Sequence, residues 1–116
     1  APTGATFYTG DAIPSWTNRL VFGELMGQHV AVATLTPAGT PLPPVRGGVR
    51  FDADWLNGDW TVTAHRLLPE LGRVRHVAQA PNGDLYAVTS NRDGRAHGTA
   101  FPRPRDDILV RIHPAD

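Results

Sequence analysis

The chain has 116 residues, 41% hydrophobic and 19% charged, the balance of a small globular unit rather than a disordered segment. Eleven basic and eleven acidic residues cancel, so no global field favours nucleic acid or an anionic membrane surface. All eleven basic residues are arginine, and the absence of cysteine excludes disulfides, thiolate metal sites and a cysteine nucleophile.

Residues 5–9 (ATFYT), 19–24 (RLVFGE) and 29–36 (HVAVATLT) read as the first three strands, short β-type runs bounded by Gly and Pro. Residues 37–59 then read as a long surface connection, with polyproline character at 41–44. Its aspartates Asp52, Asp54 and Asp59 lack the glycine and terminal glutamate of a calcium loop and read as solvated. Residues 60–67 (WTVTAHRL) supply a fourth strand, and the following LLPELG is broken by Pro69. Residues 73–80 (RVRHVAQA) and 85–90 (LYAVTS) flank Pro81-Asn82-Gly83-Asp84, a turn that closes an antiparallel hairpin. Residues 91–106 form a second long loop carrying four arginines, and residues 107–113 (DILVRIH) the last strand.

No segment carries a helical apolar stripe, so the expected fold is all-β. The strands group as four plus three. Residues 1–68 are expected to form one four-stranded blade, interrupted by the long 37–59 connection. Residues 69–116 are expected to form a last blade of three strands, its fourth supplied by sequence before residue 1. The third strand places Val30 and Val32 on one side and Ala31, Ala33 and Leu35 on the other. A sheet apolar on both faces suits a β-propeller blade between neighbours, although a seven-stranded sandwich is also compatible with the composition. Ala1-Pro2-Thr3 opens without an initiator Met, and with the incomplete second blade this reads as a processed chain or a fragment.

The side chains that could carry chemistry are few. Arg73 and Arg75 stand two apart at the start of a strand, so both are expected on one face with Val74 on the other. Paired guanidinium groups suit carboxylate ligands, and the alternative is ion pairing on the surface or between blades. His29, His65, His76, His97 and His113 show no metal-ligand spacing, and His76 is expected to face away from the arginines. Asn91-Arg92-Asp93-Gly94-Arg95 reads either as a turn with local side-chain hydrogen bonds or as a loop overlooking a site. Trp16, Trp55 and Trp60 read as packing residues. There is no nucleotide-binding loop, no nucleophile elbow and no apolar run long enough to span a membrane as a helix.

Residues 3–16 (TGATFYTGDAIPSW), 20–28 (LVFGELMGQ) and 72–89 (GRVRHVAQAPNGDLYAVT) resemble the last third of the glucose/sorbosone dehydrogenase family. The most specific part is R-x-R, a short β run, then P-[DN]-G-x-L-Y-x-x-T. Residues 91–95 with Asp106-Asp107-Ile108 resemble the loop and closing strand of its prokaryotic members. The resemblance implies two antiparallel blades of a six-bladed β-propeller, from a soluble enzyme that oxidises an aldose by hydride transfer to the quinone cofactor PQQ. It places residues 25–28, 68–73 and 91–106 on one end of the blades, the end that holds the cofactor. It assigns Arg73 and Arg75 as cofactor-contacting residues.

The same resemblance assigns no catalytic and no metal-binding residue to this chain. The histidine base and the calcium that accompanies PQQ belong to earlier blades, so the chain alone is expected to be inactive. Its expected partners are the remainder of its own propeller and a sugar, with no nucleic acid and no membrane span, in the periplasm or a secreted setting. Met26 departs from the basic residue that some relatives carry, which leaves Gln28 as a candidate polar contact. The alternatives are a non-catalytic propeller that binds a protein or glycan, and an independent β-sandwich interaction domain.

Overall fold

The computed structural model describes residues 2–40, 49–55 and 58–113. Eight strands follow one another: β1 (Pro2–Tyr8), β2 (Arg19–Glu24), β3 (His29–Pro37), β4 (Val49–Trp55), β5 (Trp60–Leu67), β6 (Val74–Gln79), β7 (Leu85–Thr89) and β8 (Leu109–Ile112). Among the described residues there is no α-helix, only single 3-10 turns at Pro14–Trp16 and Pro69–Leu71. Each turn opens with a proline, whose missing N–H would have had no partner there in any case.

The strands form two antiparallel blades. The first is ordered β4-β5-β3-β2-β1 and the second β6-β7-β8. They meet where the inner strands β1 and β6 run parallel, with Gly4 opposite His76. This is the all-β, two-blade propeller arrangement expected from the sequence. All seven expected strands are present, and the Pro81–Asp84 turn closes the β6–β7 hairpin with Gly83 at φ 89°.

One element differs from expectation. Residues 49–55 lie within the stretch read as a connection, yet they form β4, which pairs with β5 from Val49–Arg66 to Trp55–Trp60. β4 is thus the outer edge strand of the first blade, with β5 between it and β3. Asp52 and Asp54 therefore stand on a strand rather than in a loop. The polyproline reading of residues 41–44 falls outside the described residues, as do the side chains of Asp52, Asp54 and Trp55.

One core joins the blades. Tyr8, Val21, Val30, Val32 and Leu67 from the first sheet pack against Val74, Val77, Leu85, Ala87 and Ile112 from the second, with Ile13 and Trp16 closing one end. Burial of such side chains stabilises by about 2 kcal/mol each relative to exposure. Polar bridges fix the relative setting of the sheets. Thr3 Oγ1 donates to Val74 O at 2.9 Å, Thr9 N donates to Gln79 Oε1 at 2.9 Å, and the Tyr8 hydroxyl donates to Gly83 O.

The outward faces remain apolar. Phe7, Leu20 and Ala33 lie in register across β1, β2 and β3, and with Leu35 and Val62 they line an open hollow of about 600 Å³. Phe7, Leu20 and Leu35 are 55%, 40% and 44% exposed. On the second blade the cross-strand pair Val88 and Leu109 is likewise exposed. A two-faced apolar sheet is what a blade between two neighbours needs.

Candidate functional site

The three connections expected to share one end do converge there. They run from β2 to β3 through Leu25–Gln28, from β5 to β6 through Leu68–Arg73, and from β7 to β8 through residues 90–108. Arg73 is their common centre. The residue is 3% exposed, and its guanidinium engages four acceptors drawn from two of the connections. Nε donates to Ser90 O at 3.1 Å, Nη1 to Leu25 O and Arg95 O at 3.3 Å each, and Nη2 to Asp93 Oδ2 at 3.0 Å.

The long 90–108 connection is folded by buried polar groups. Asn91 accepts from Arg73 N at 2.8 Å through Oδ1, and its Nδ2 donates to Leu71 O at 2.8 Å and Asp106 O at 3.0 Å. Gly72, at φ 75°, leaves room for this: a Cβ there would lie 2.3 Å from Asn91 Oδ1. Thr89 Oγ1 donates to Asp106 O at 2.6 Å and accepts from Ile108 N at 2.9 Å, closing the base of the loop. The far limb docks on the β2–β3 connection, where His97 N donates to Gln28 Oε1 at 2.9 Å and His97 Nε2 contacts Met26 O.

Asp93 is the only carboxylate on Arg73 among the described residues. Its Oδ1 accepts from Arg95 N at 2.9 Å, and its Oδ2 from Ser90 Oγ at 3.0 Å as well as from Arg73. The Arg95 N–H, with smaller help from Arg73 and Ser90, holds its carboxyl below the ordinary value; partial desolvation opposes them. The reading of residues 91–95 as a turn with local side-chain hydrogen bonds describes these contacts, and the turn also faces Arg73.

The expectation that His76 faces away from Arg75 is corrected. The strand begins at Val74, and a register shift between Val74 and His76 inserts Arg75 as an extra residue. Val74 is buried, as expected, and Arg73 turns into the loops. Arg75 and His76 are both exposed, so the predicted alternation fails at this one position. Arg75 makes no hydrogen bond or ion pair with any described residue. The His76 ring lies over Gly4, where a Cβ would fall 1.7 Å from Nδ1.

Met26 is exposed on the β2–β3 connection, and Gln28 is occupied by His97. Among the described residues no three His, Cys, Asp or Glu side chains gather as a metal site. Sequence reasoning missed Asn91 and Asp106, the two buried polar residues that shape the loop. The available signal was their position beside the ends of β7 and β8, where a long loop must satisfy its backbone.

Residues 1–98 match the family model described as glucose/sorbosone dehydrogenase. The chain belongs to the glucose/sorbosone dehydrogenase family. It is 28% identical over 95 residues to the aldose sugar dehydrogenase YliI of Escherichia coli (strain K12), covering 81% of this chain and 20% of that protein. The fold is similar to the crystal structure of a Thermus thermophilus protein assigned as an oxidoreductase (glucose dehydrogenase). That similarity has a TM-score of 0.59 at 29% identity, covering 95% of this chain and 25% of the other. The chain thus spans a fifth to a quarter of the length of these relatives.

Proposed function

We propose that these two blades are part of a PQQ-dependent aldose dehydrogenase and form a portion of its cofactor face, with Arg73 and Arg75 as its positive pole. The observation that carries this reading is the convergence of three connections on Arg73 next to an exposed Arg75 that has no partner among the described residues. PQQ, when bound, supplies an o-quinone that accepts hydride from the sugar carbon. It also carries carboxylates, and the chemistry of Arg75 fits one: its guanidinium can form a charge-assisted, bidentate hydrogen bond. A fixed positive charge there also favours the electron-rich, reduced state. Arg73 fits less directly, because four of its donor directions are already taken.

The chain's own residues orient and shield. The folded 90–108 connection covers one side of Arg73, and the exposed Met26 offers a polarisable thioether for packing on a flat ring. A base that takes the sugar hydroxyl proton and a calcium site lie in this reading on the remaining blades. Those blades would cover the Phe7–Leu35 face and the Val88–Leu109 face. The two blades alone are then inert, and the reading carries a periplasmic or secreted setting with it. The exposed Met26 also favours a second reading, a propeller of the same build that binds a protein or glycan without turnover.

Dye-linked oxidation of a panel of aldoses by the complete protein, with PQQ and calcium, separates the two readings. PQQ-dependent turnover supports the first. PQQ-independent glycan or protein binding without turnover supports the second.

A further inference from the structure

The β7–β8 connection is held firmly at both ends of its outer arch and lightly between them. Asp93 fixes the turn at Arg95 N, and Phe101 is buried beside Gly72. Between these points, residues 96–100 make no hydrogen bond or ion pair with any described residue except through His97. Gly94 and Gly98 flank that residue at φ 83° and 77°, and a Cβ on either would meet nothing within 4 Å. Packing does not require glycine at either place. The left-handed backbone does, and such positions turn with little steric hindrance.

His97 reaches across to the β2–β3 connection. Its backbone N–H donates to Gln28 Oε1 at 2.9 Å. Its Nε2 meets Met26 O, a group that can only accept, so Nε2 carries the hydrogen. The receiving side is strained, because Gln28 has φ 56°, a region that suits glycine or asparagine better. A glutamine held against that strain points to a use for its side chain, and among the described residues its hydrogen bond is to His97. Both contacts lie at the surface, where water competes for the same groups and opening is easy.

We infer that residues 94–100 form a strap, latched by His97 on Gln28 and Met26, that opens and closes over this end of the blades and controls entry and release of the ligand. The nature of the ligand rests on the proposed cofactor-face reading; the latch does not. Entry scales with the open fraction, and release is slowed while the strap is closed. A loop with only a structural role would leave both rates unchanged when unlatched.

Amide hydrogen exchange and stopped-flow PQQ binding in the complete protein test this. In His97→Ala the amide at position 97 keeps its acceptor on Gln28, so its exchange reports whether the imidazole latches the strap as a whole. We expect exchange there to quicken about tenfold while strand protection is kept. PQQ association should be several-fold faster, and dissociation faster by at least as much. Gln28→Gly removes the other half of the latch and should raise both rates likewise. It should not lower the urea midpoint, because relief of strain offsets the added freedom of the unfolded chain. Unchanged exchange at position 97 in His97→Ala overturns the latch. Faster exchange with both PQQ rates unchanged overturns the gate. If the wild-type protein binds no PQQ, the cofactor-face reading fails and the gate with it, while the exchange data still decide the latch.

Discussion

The Tyr8 hydroxyl donates to the carbonyl of Gly83, 75 residues away, and accepts the backbone N–H of Ile13 at 3.1 Å. One phenol thus ties the end of β1 to the β6–β7 turn and to the segment that leads into β2. Tyr8 is fully buried, so neither bond has a water to replace it. The inter-blade angle is set at this end by that oxygen and at the other by Thr3 Oγ1 on Val74 O.

Tyr8→Phe keeps the ring and deletes the oxygen. It should cost about 2 kcal/mol, because a buried carbonyl and a buried N–H lose their partner while packing is unchanged. Urea denaturation should show a lower midpoint at constant slope. A change within about 0.5 kcal/mol would mean that water takes the oxygen's place.

Gly72→Ala should destabilise by about 2 kcal/mol or more, since it combines a left-handed φ with a collision against Asn91 Oδ1. Asn91→Ala removes three side-chain hydrogen bonds at the same spot and should cost about 3 kcal/mol. The two effects should be less than additive, because both break one network. A double-mutant cycle by denaturant unfolding reads this directly.

Seven of the eight strands were legible in the sequence because each is a short β-type run, most of them ended by Gly, Pro or Asn. The eighth, β4, also alternates, as Val49-Arg50-Phe51-Asp52-Ala53-Asp54-Trp55. Its aspartates and the prolines before it disguised the period, and an edge strand needs only one partner. The convergence of three connections followed from strand order. The inserted residue at Arg75 did not, because a one-residue shift is decided by how β6 pairs with Val88 and Thr89. Nor did the burial of Arg73. Its acceptors are carbonyls at Leu25, Ser90 and Arg95, and carbonyls leave no trace in a residue pattern.

Asp93 makes the loop order pH-dependent. Its carboxyl lies below the ordinary value in the folded state, held there first by Arg95 N–H and then by Arg73 and Ser90. The stabilisation of its ionised form is therefore complete above the unfolded carboxylate pKa of about 4. It is lost as pH falls through the lower, folded value. Exchange protection factors of residues 90–97 should be flat from pH 7 to 5 and decline below about pH 4. In Asp93→Ala that decline should be absent.

Phe7→Thr tests whether another blade covers the outer face. On the 55% exposed surface seen in these two blades the change should stay within about 0.5 kcal/mol. Beneath a neighbouring blade it should cost about 2 kcal/mol in the complete protein. Thermal unfolding of the complete protein distinguishes these values.

In the proposed reading, this end of the blades receives a carboxylated quinone at Arg75. Equilibrium titration of PQQ into the complete protein, wild type beside Arg75→Gln, addresses it most directly. Saturable binding by the wild type and about tenfold weaker binding by the variant, with an unchanged fold, are expected. Equal affinity in the two proteins, or no binding by the wild type, would contradict it.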